Sequence, residues 1–148
     1  MKISSRGRYG LAAMILMAQS ADSNEVITVI SISERLGVSK IYLEQVFSLL
    51  KRAGLVNAIK GSQGGYRLSK PSTAISGLDI LQALEHSLFE KTEESVLKKA
   101  ADIEQAMQTS VFTVLDDAVA KSLQKVMLED LVAQAQKLRN DGGLMFYI

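Results

Sequence analysis

Thr28-Val29-Ile30-Ser31-Ile32-Ser33-Glu34-Arg35-Leu36-Gly37-Val38-Ser39-Lys40-Ile41-Tyr42-Leu43-Glu44-Gln45-Val46-Phe47-Ser48-Leu49-Leu50-Lys51-Arg52 spells two short helices with almost nothing between them. Thr28 suits an N-cap, because a hydroxyl oxygen accepts one of the orphan amides of a first turn. Val29, Ile32 and Leu36 follow at i, i+3 and i+7, one apolar stripe. Gly37 stops the helix, since glycine tolerates the left-handed conformation of a C-terminus. Ser39 caps the next helix two residues later, and that helix runs to about Ala53, where Gly54 ends it. Leu43, Val46, Phe47 and Leu50 form its inward face. Lys40, Ile41, Glu44, Gln45, Ser48, Lys51 and Arg52 are left outside.

The flanks complete a pattern. Upstream, Tyr9, Ala12, Ala13, Leu16 and Met17 predict a helix over 6–20, followed by a polar break at 21–24 and a very short strand at Val26-Ile27. Downstream, Leu55 to Ile59 and Tyr66 to Leu68 read as a hairpin around the glycine-rich turn Lys60-Gly61-Ser62-Gln63-Gly64-Gly65. Two helices joined by a tight turn and followed by a glycine-tipped hairpin is the order of a winged helix-turn-helix. In that architecture the second helix offers a polar face to base edges. Gln45 can pair with adenine and Glu44 can accept from a cytosine amino group. Lys40, Lys51, Arg52 and Lys60 can neutralise phosphates. Gly61, Gly64 and Gly65 let the backbone approach a groove without Cβ clashes. The competing readings are a solvated helix face and a plain structural turn.

Composition agrees with a globular protein and narrows its chemistry. The 148 residues are 47% apolar and 22% charged, with no cysteine, one histidine and one proline. Disulfides, thiolate metal sites and cysteine-ligated clusters are therefore excluded. No signal peptide and no membrane-length apolar run is present, which predicts a cytoplasmic protein without membrane contact. The net charge of +1 conceals an asymmetry. Residues 1–70 hold ten basic residues against four acidic ones, and residues 71–148 hold seven against twelve. Only the first part attracts polyanions. Pro71, the sole proline, marks the change of sign.

Past Pro71 the pattern is helical. Ser76 with Asp79 resembles a capping box, and Leu81, Leu84 and Leu88 supply the next apolar stripe. Residues 95–125 form the longest helical pattern, with Val96, Ala100, Ile103, Met107, Val111, Val114 and Ala118 in a nearly heptad seam suited to packing along another long helix. A last helix over Leu128–Leu138 is expected to stop at Gly142-Gly143. Leu144-Met145-Phe146-Tyr147-Ile148 ends the sequence without a charged side chain. Phe146, Tyr147 and Ile148 suit capture of a terminal carboxylate by a partner, or cover for the protein's own surface.

Catalysis finds no support. The glycine turn lacks the lysine–serine or lysine–threonine pair and the following helix of a phosphate-binding loop. It also lacks the spacing of a hydrolase nucleophile elbow. His86 stands alone, and Glu93-Glu94 and Asp116-Asp117 have no neighbouring group that would mark an acid and a base. No catalytic residue, metal ligand or cofactor is expected.

Five motifs, in order, carry a family resemblance. Lys2-Ile3-Ser4-Ser5-Arg6-Gly7-Arg8-Tyr9-Gly10, Ile32 to Ser39, Tyr42-Leu43-Glu44-Gln45, Gly54-Leu55-Val56 and Lys60-Gly61 with Gly64-Gly65-Tyr66 strongly resemble the Rrf2 family of bacterial transcription regulators. The likeness spans about residues 1–88. It implies a winged helix-turn-helix with a long dimerisation helix, the helix matching Ser39 to Arg52 in the major groove and the wing in the adjacent minor groove. The resemblance points to Ser39, Tyr42, Glu44 and Gln45 as groove contacts, to Lys60 and the wing glycines, and to Ser4, Ser5 and Arg6 as backbone contacts. Many members hold an iron–sulfur cluster on three cysteines and a histidine after the helix matching Gly77–Glu85. Residues 88–110 contain neither type here. The chain is similar to the cluster-less cysteine-metabolism repressors of the family, which share the Lys2-Ile3-Ser4 start and the Met145-Phe146-Tyr147-Ile148 end. That branch implies a cysteine synthase (O-acetylserine sulfhydrylase) as partner. Leu84-Glu85-His86-Ser87 departs from the branch, which has Gly-Pro after the Leu-Glu.

The expectation is a mainly α (α+β) fold, with a DNA-binding winged helix-turn-helix over 1–75 and a helical dimerisation region with an apolar tail over 76–148. Its function would be that of a homodimeric repressor on double-stranded DNA. A protein-interaction adaptor working through the tail is the alternative.

Overall fold

The computed structural model describes residues 1–20, 25–61 and 64–147, with side chains described as far as residue 142. Helix α1 spans Ser5–Ala18, α2 Val29–Leu36 and α3 Lys40–Arg52. Strands β1 (Val56–Ile59) and β2 (Gly65–Leu68) form an antiparallel hairpin in the register Val56↔Leu68 to Ile59↔Gly65. A 3₁₀ turn at Ser72–Ala74 leads to α4 (Gly77–Leu84). Then come α5 (Ala101–Met107), a π-helical turn over Gln108–Phe112, α6 (Thr113–Gln124) and α7 (Leu128–Tyr147). Among the described residues the fold is mainly helical with one small sheet.

The expected caps form. The hydroxyls of Thr28 and Ser39 accept from the amides of Ser31 and Tyr42 at 3.1 and 3.3 Å. Gly37 closes α2 at φ 68°, a left-handed position with open space around it. The backbone of that glycine sets the turn between α2 and α3. Ile27 joins the hairpin by pairing with Tyr66 through two backbone hydrogen bonds of 2.8 and 2.9 Å.

One core serves both parts of the chain. Met14, Ile32, Phe47 and Val56 from the N-terminal half pack in the same buried cluster as Ile80, Leu84 and Leu128 from the C-terminal half. A bridge between Ser76 and Met127 ties the start of α4 to the start of α7, with Gly77 donating to the Val126 carbonyl at 2.7 Å and Leu128 to that of Ile75 at 2.8 Å. Residues 85–126 therefore leave the body at the end of α4 and return to it beside the start of that helix. Their helices α5 and α6 form an arm whose apolar side chains Ile103, Val111, Val114 and Leu115 are exposed.

Three expectations change. The seam helix begins at Ala101, after turns over 95–99, and carries a π turn in its middle. Val96 and Ala100 thus precede it. Helix α4 ends at Leu84, so Leu88 lies in the turn beyond it. The helix stops there because Glu85 leaves helical geometry (φ −110°, ψ 76°), and its buried carboxylate takes the Ser4 amide at 2.8 Å. Gly142-Gly143 do not end the last helix, which continues to Tyr147. Glycine permits a left-handed stop but does not impose one.

Candidate nucleic-acid interface

Helix α3 turns Leu43, Val46, Phe47 and Leu50 fully inward. That burial leaves Lys40, Ile41, Glu44, Gln45, Ser48, Lys51 and Arg52 exposed. Lys40 and Glu44 lie one turn apart with their charges at 3.8 Å, and both side chains are half in solvent. An ion pair so exposed adds little stability, and each group stays free to exchange its partner for a base or phosphate.

Aromatic contacts fix the direction of this face. The Tyr42 ring meets Tyr9 of α1 edge to face, with centroids 5.4 Å apart at 89°. The Arg8 guanidinium lies 5.9 Å from the Tyr9 ring centre and donates to Ser5 Oγ at 2.9 Å. Exposed Arg8 and half-buried Ser5 thereby sit on the side of α1 that borders the start of α3. Arg8 was no candidate from sequence, because only the Tyr9–Tyr42 contact brings it to this face. On the inner side, Phe47 stacks on Tyr66 with centroids 4.6 Å apart at 26°, which locks the hairpin to the helix.

The N-terminal candidates divide. The Ser4 hydroxyl donates to buried Glu85 at 2.6 Å and accepts from the Gly7 amide as the N-cap of α1. Arg6 donates through Nε to the Leu84 carbonyl at 2.9 Å. These two side chains hold α1 to the end of α4, while Ser5 stays with Arg8. Ser39 also spends its hydroxyl on a cap but remains exposed.

The wing divides too. Lys60, Gly61 and Gly64 are exposed. Gly65 is buried, and a Cβ there would sit 2.5 Å from the carbonyl oxygen of Ile27. Its missing side chain admits the Ile27 strand from inside the protein rather than an outer ligand. Of the tail candidates, the side chains of Phe146 and Tyr147 and all of Ile148 lie outside the described residues.

The family model described as "Rrf2: Iron-dependent Transcriptional regulator" matches residues 3–134. The chain belongs to the Rrf2 family of transcriptional regulators. Among curated Rrf2-type relatives, the regulator CymR of Bacillus subtilis is 36% identical over 148 residues, covering both chains in full. IscR of Cereibacter sphaeroides is 40% identical over 89 residues, which is 60% of this chain and 57% of that protein. The match thus spans only about half the length of such IscR relatives. The solved structure of B. subtilis CymR, "the Global Cysteine Regulator", superposes with a TM-score of 0.70 and 35% identity, over 90% of this chain and 98% of that one. IscR of T. potens superposes with a TM-score of 0.69 and 33% identity, over 91% and 88%. These relatives are regulators and not enzymes.

Iron in the family description calls for a test of the donors. This Rrf2 chain has no cysteine, and its one histidine, His86, is exposed just beyond α4. Among the described residues no group of three or more His, Cys, Asp or Glu side chains could hold a metal ion. Buried Glu104, beside the segment after α4, spends its oxygens on the amides of Ser95 and Val96 and on Gln108. The donor set does not fit an iron–sulfur cluster. No helix among the described residues is long and apolar enough to cross a membrane.

Proposed function

We propose that this chain is a dimeric repressor that binds a palindromic operator and controls genes of cysteine and sulfur metabolism. The observation that carries the DNA-binding part is the outward face of α3, clear of the chain's own packing and anchored at one end by Tyr9–Tyr42 and underneath by Phe47–Tyr66. Gln45 reads adenine, Glu44 accepts from cytosine, and Lys40, Lys51, Arg52 and Lys60 neutralise phosphates, with Arg8 joining them. Ser39 lies at the groove, and Ser5 and the exposed wing glycines lie against the backbone. Ile103, Val111, Val114 and Leu115 of the arm pack on a second copy, which removes their apolar surface from water. Two α3 helices then meet half-sites about 34–36 Å apart, one turn of DNA.

The division at residue 75/76 is on this reading one of task, with reading before it and pairing after it, since both parts share a core. The sulfur assignment rests on the full-length likeness to CymR. By the resemblance of the tail to that of the cysteine-metabolism repressors, Phe146, Tyr147 and Ile148 engage a cysteine-synthase-type enzyme. The adaptor reading, in which the tail is the whole function, has no support in the fold. Genome-wide footprinting of the DNA bound by the protein tests the proposal. Palindromic sites beside sulfur-amino-acid genes are expected, and sites elsewhere would overturn the sulfur assignment. Absence of any enriched site would overturn DNA binding itself.

A further inference from the structure

Charge and hydrogen bonding leave one side chain on the outer face of α3 unexplained. Ile41 is 70% exposed, more than any other large apolar residue described except Met1. It belongs neither to the core nor to the residues packed against it. Ile41 precedes Glu44, Gln45 and Ser48 by three, four and seven residues, so all four share one stripe. The other members of that stripe are polar. Helix formation does not ask for isoleucine there, because a β-branched side chain loses rotamer freedom against the preceding turn and a straight polar one would not.

Its position suggests a use. Ile41 lies in the first turn of α3, and the N-terminal residues of a recognition helix are the ones that reach base edges. The major-groove edges carry one apolar feature, the C5-methyl of thymine. A β-branched side chain in a helix holds one dominant rotamer, so little freedom is lost when its methyls meet that group. We propose that Ile41 reads a thymine methyl, adjacent to the bases met by Glu44 and Gln45, and so helps set the operator sequence of this chain. The inference rests on the DNA-binding reading above.

The test deletes only that methyl. Full-length protein enriches its preferred duplex from a random pool. Deoxyuridine then replaces one thymine at a time in the recovered operator. One position in each half-site is expected to lose roughly four-fold in affinity, the worth of one buried methyl. With Ile41→Ala, binding to the thymine operator weakens by at least that factor, and deoxyuridine at the same position costs nothing more. The variant should keep the thermal unfolding and the salt dependence of the parent, since the residue is exposed and uncharged. Tolerance of deoxyuridine at every thymine, or a full penalty persisting in Ile41→Ala, overturns the assignment and leaves Ile41 to a protein contact. Failure to enrich any duplex overturns DNA binding instead, so the two failures are distinguishable.

Discussion

On the proposed function Gln45 and Lys60 do different work, and the difference is measurable. Gln45 is exposed on the stripe of α3 proposed above to face base edges, so Gln45→Ala should relax the preference at one operator position by about 1–3 kcal/mol while random duplex binding holds. Lys60 stands exposed at the root of the wing. Lys60→Ala should weaken specific and random duplexes alike and shrink the salt slope by about one for each protomer. Titrations of both duplexes at several salt concentrations separate the two roles, and equal loss on both for Gln45→Ala would contradict its assignment. Ser4 belongs to a third class. Its hydroxyl caps α1 and donates to buried Glu85, so Ser4→Ala should cost about 1–3 kcal/mol in urea unfolding. Operator affinity of the folded variant should stay within about two-fold, because the hydroxyl is spent inside the protein on Glu85 and the Gly7 amide. A large loss of affinity at unchanged stability would return Ser4 to the interface.

At the scale of elements, the arm is where stability and function part. The side chains of α5 and α6 that would normally be buried are exposed in the single chain, and Leu115 is among the most exposed of them. A lysine there would bring an unpaired charge into the seam, which is costly. Leu115→Lys should therefore shift the protein to monomers in sedimentation equilibrium and leave the secondary structure intact by circular dichroism. Operator binding should fall by about 10²-fold or more, because the second half-site loses its effective concentration. An unchanged dimer would place the interface on another face. The π turn over Gln108–Phe112 bears on the same seam. Each π turn adds a residue to the helical turn, so the faces of α5 and α6 are phased differently from one uninterrupted helix.

For the whole molecule, charge separation is the controlling feature. The basic part carries α3 and the wing, and the acidic part carries α4, the arm and α7. If Arg8, Lys40, Lys51, Arg52 and Lys60 of each protomer neutralise phosphates, ten contacts predict a slope of about −9 for log affinity against log salt. A slope near zero in fluorescence anisotropy titrations would exclude that footing on DNA. Removal of Met145–Ile148 should leave this slope and the operator affinity unchanged while abolishing capture by a cysteine synthase. Loss of operator binding on truncation would instead assign the tail to the dimer or the core.

Signals that act within a few residues could be read from the chain alone. Thr28, Ser39 and Ser76 cap helices because each hydroxyl reaches an amide three residues on. Gly37 stops α2 because no Cβ opposes a positive φ. The inward stripe of α3 followed from 3.6-residue periodicity, and its outward face followed by subtraction. With these, the sequence by itself determined the order of elements, the polar outward face of α3 and the absence of an iron–sulfur donor set. What it could not show depends on residues far apart. Ser4 and Arg6 were expected at DNA, but their side chains meet Glu85 and Leu84 about eighty positions later. Gly65 was expected to open the wing outward, but Ile27 packs where its side chain would be. Arg8 is brought beside the start of α3 through Tyr9 and Tyr42, and the end of α4 was set by the bond from Ser4 to Glu85. Local periodicity records which side of a helix is apolar; which neighbour fills that side, and which polar group it claims, is decided only when distant segments compete for the same space and the same hydrogen bonds.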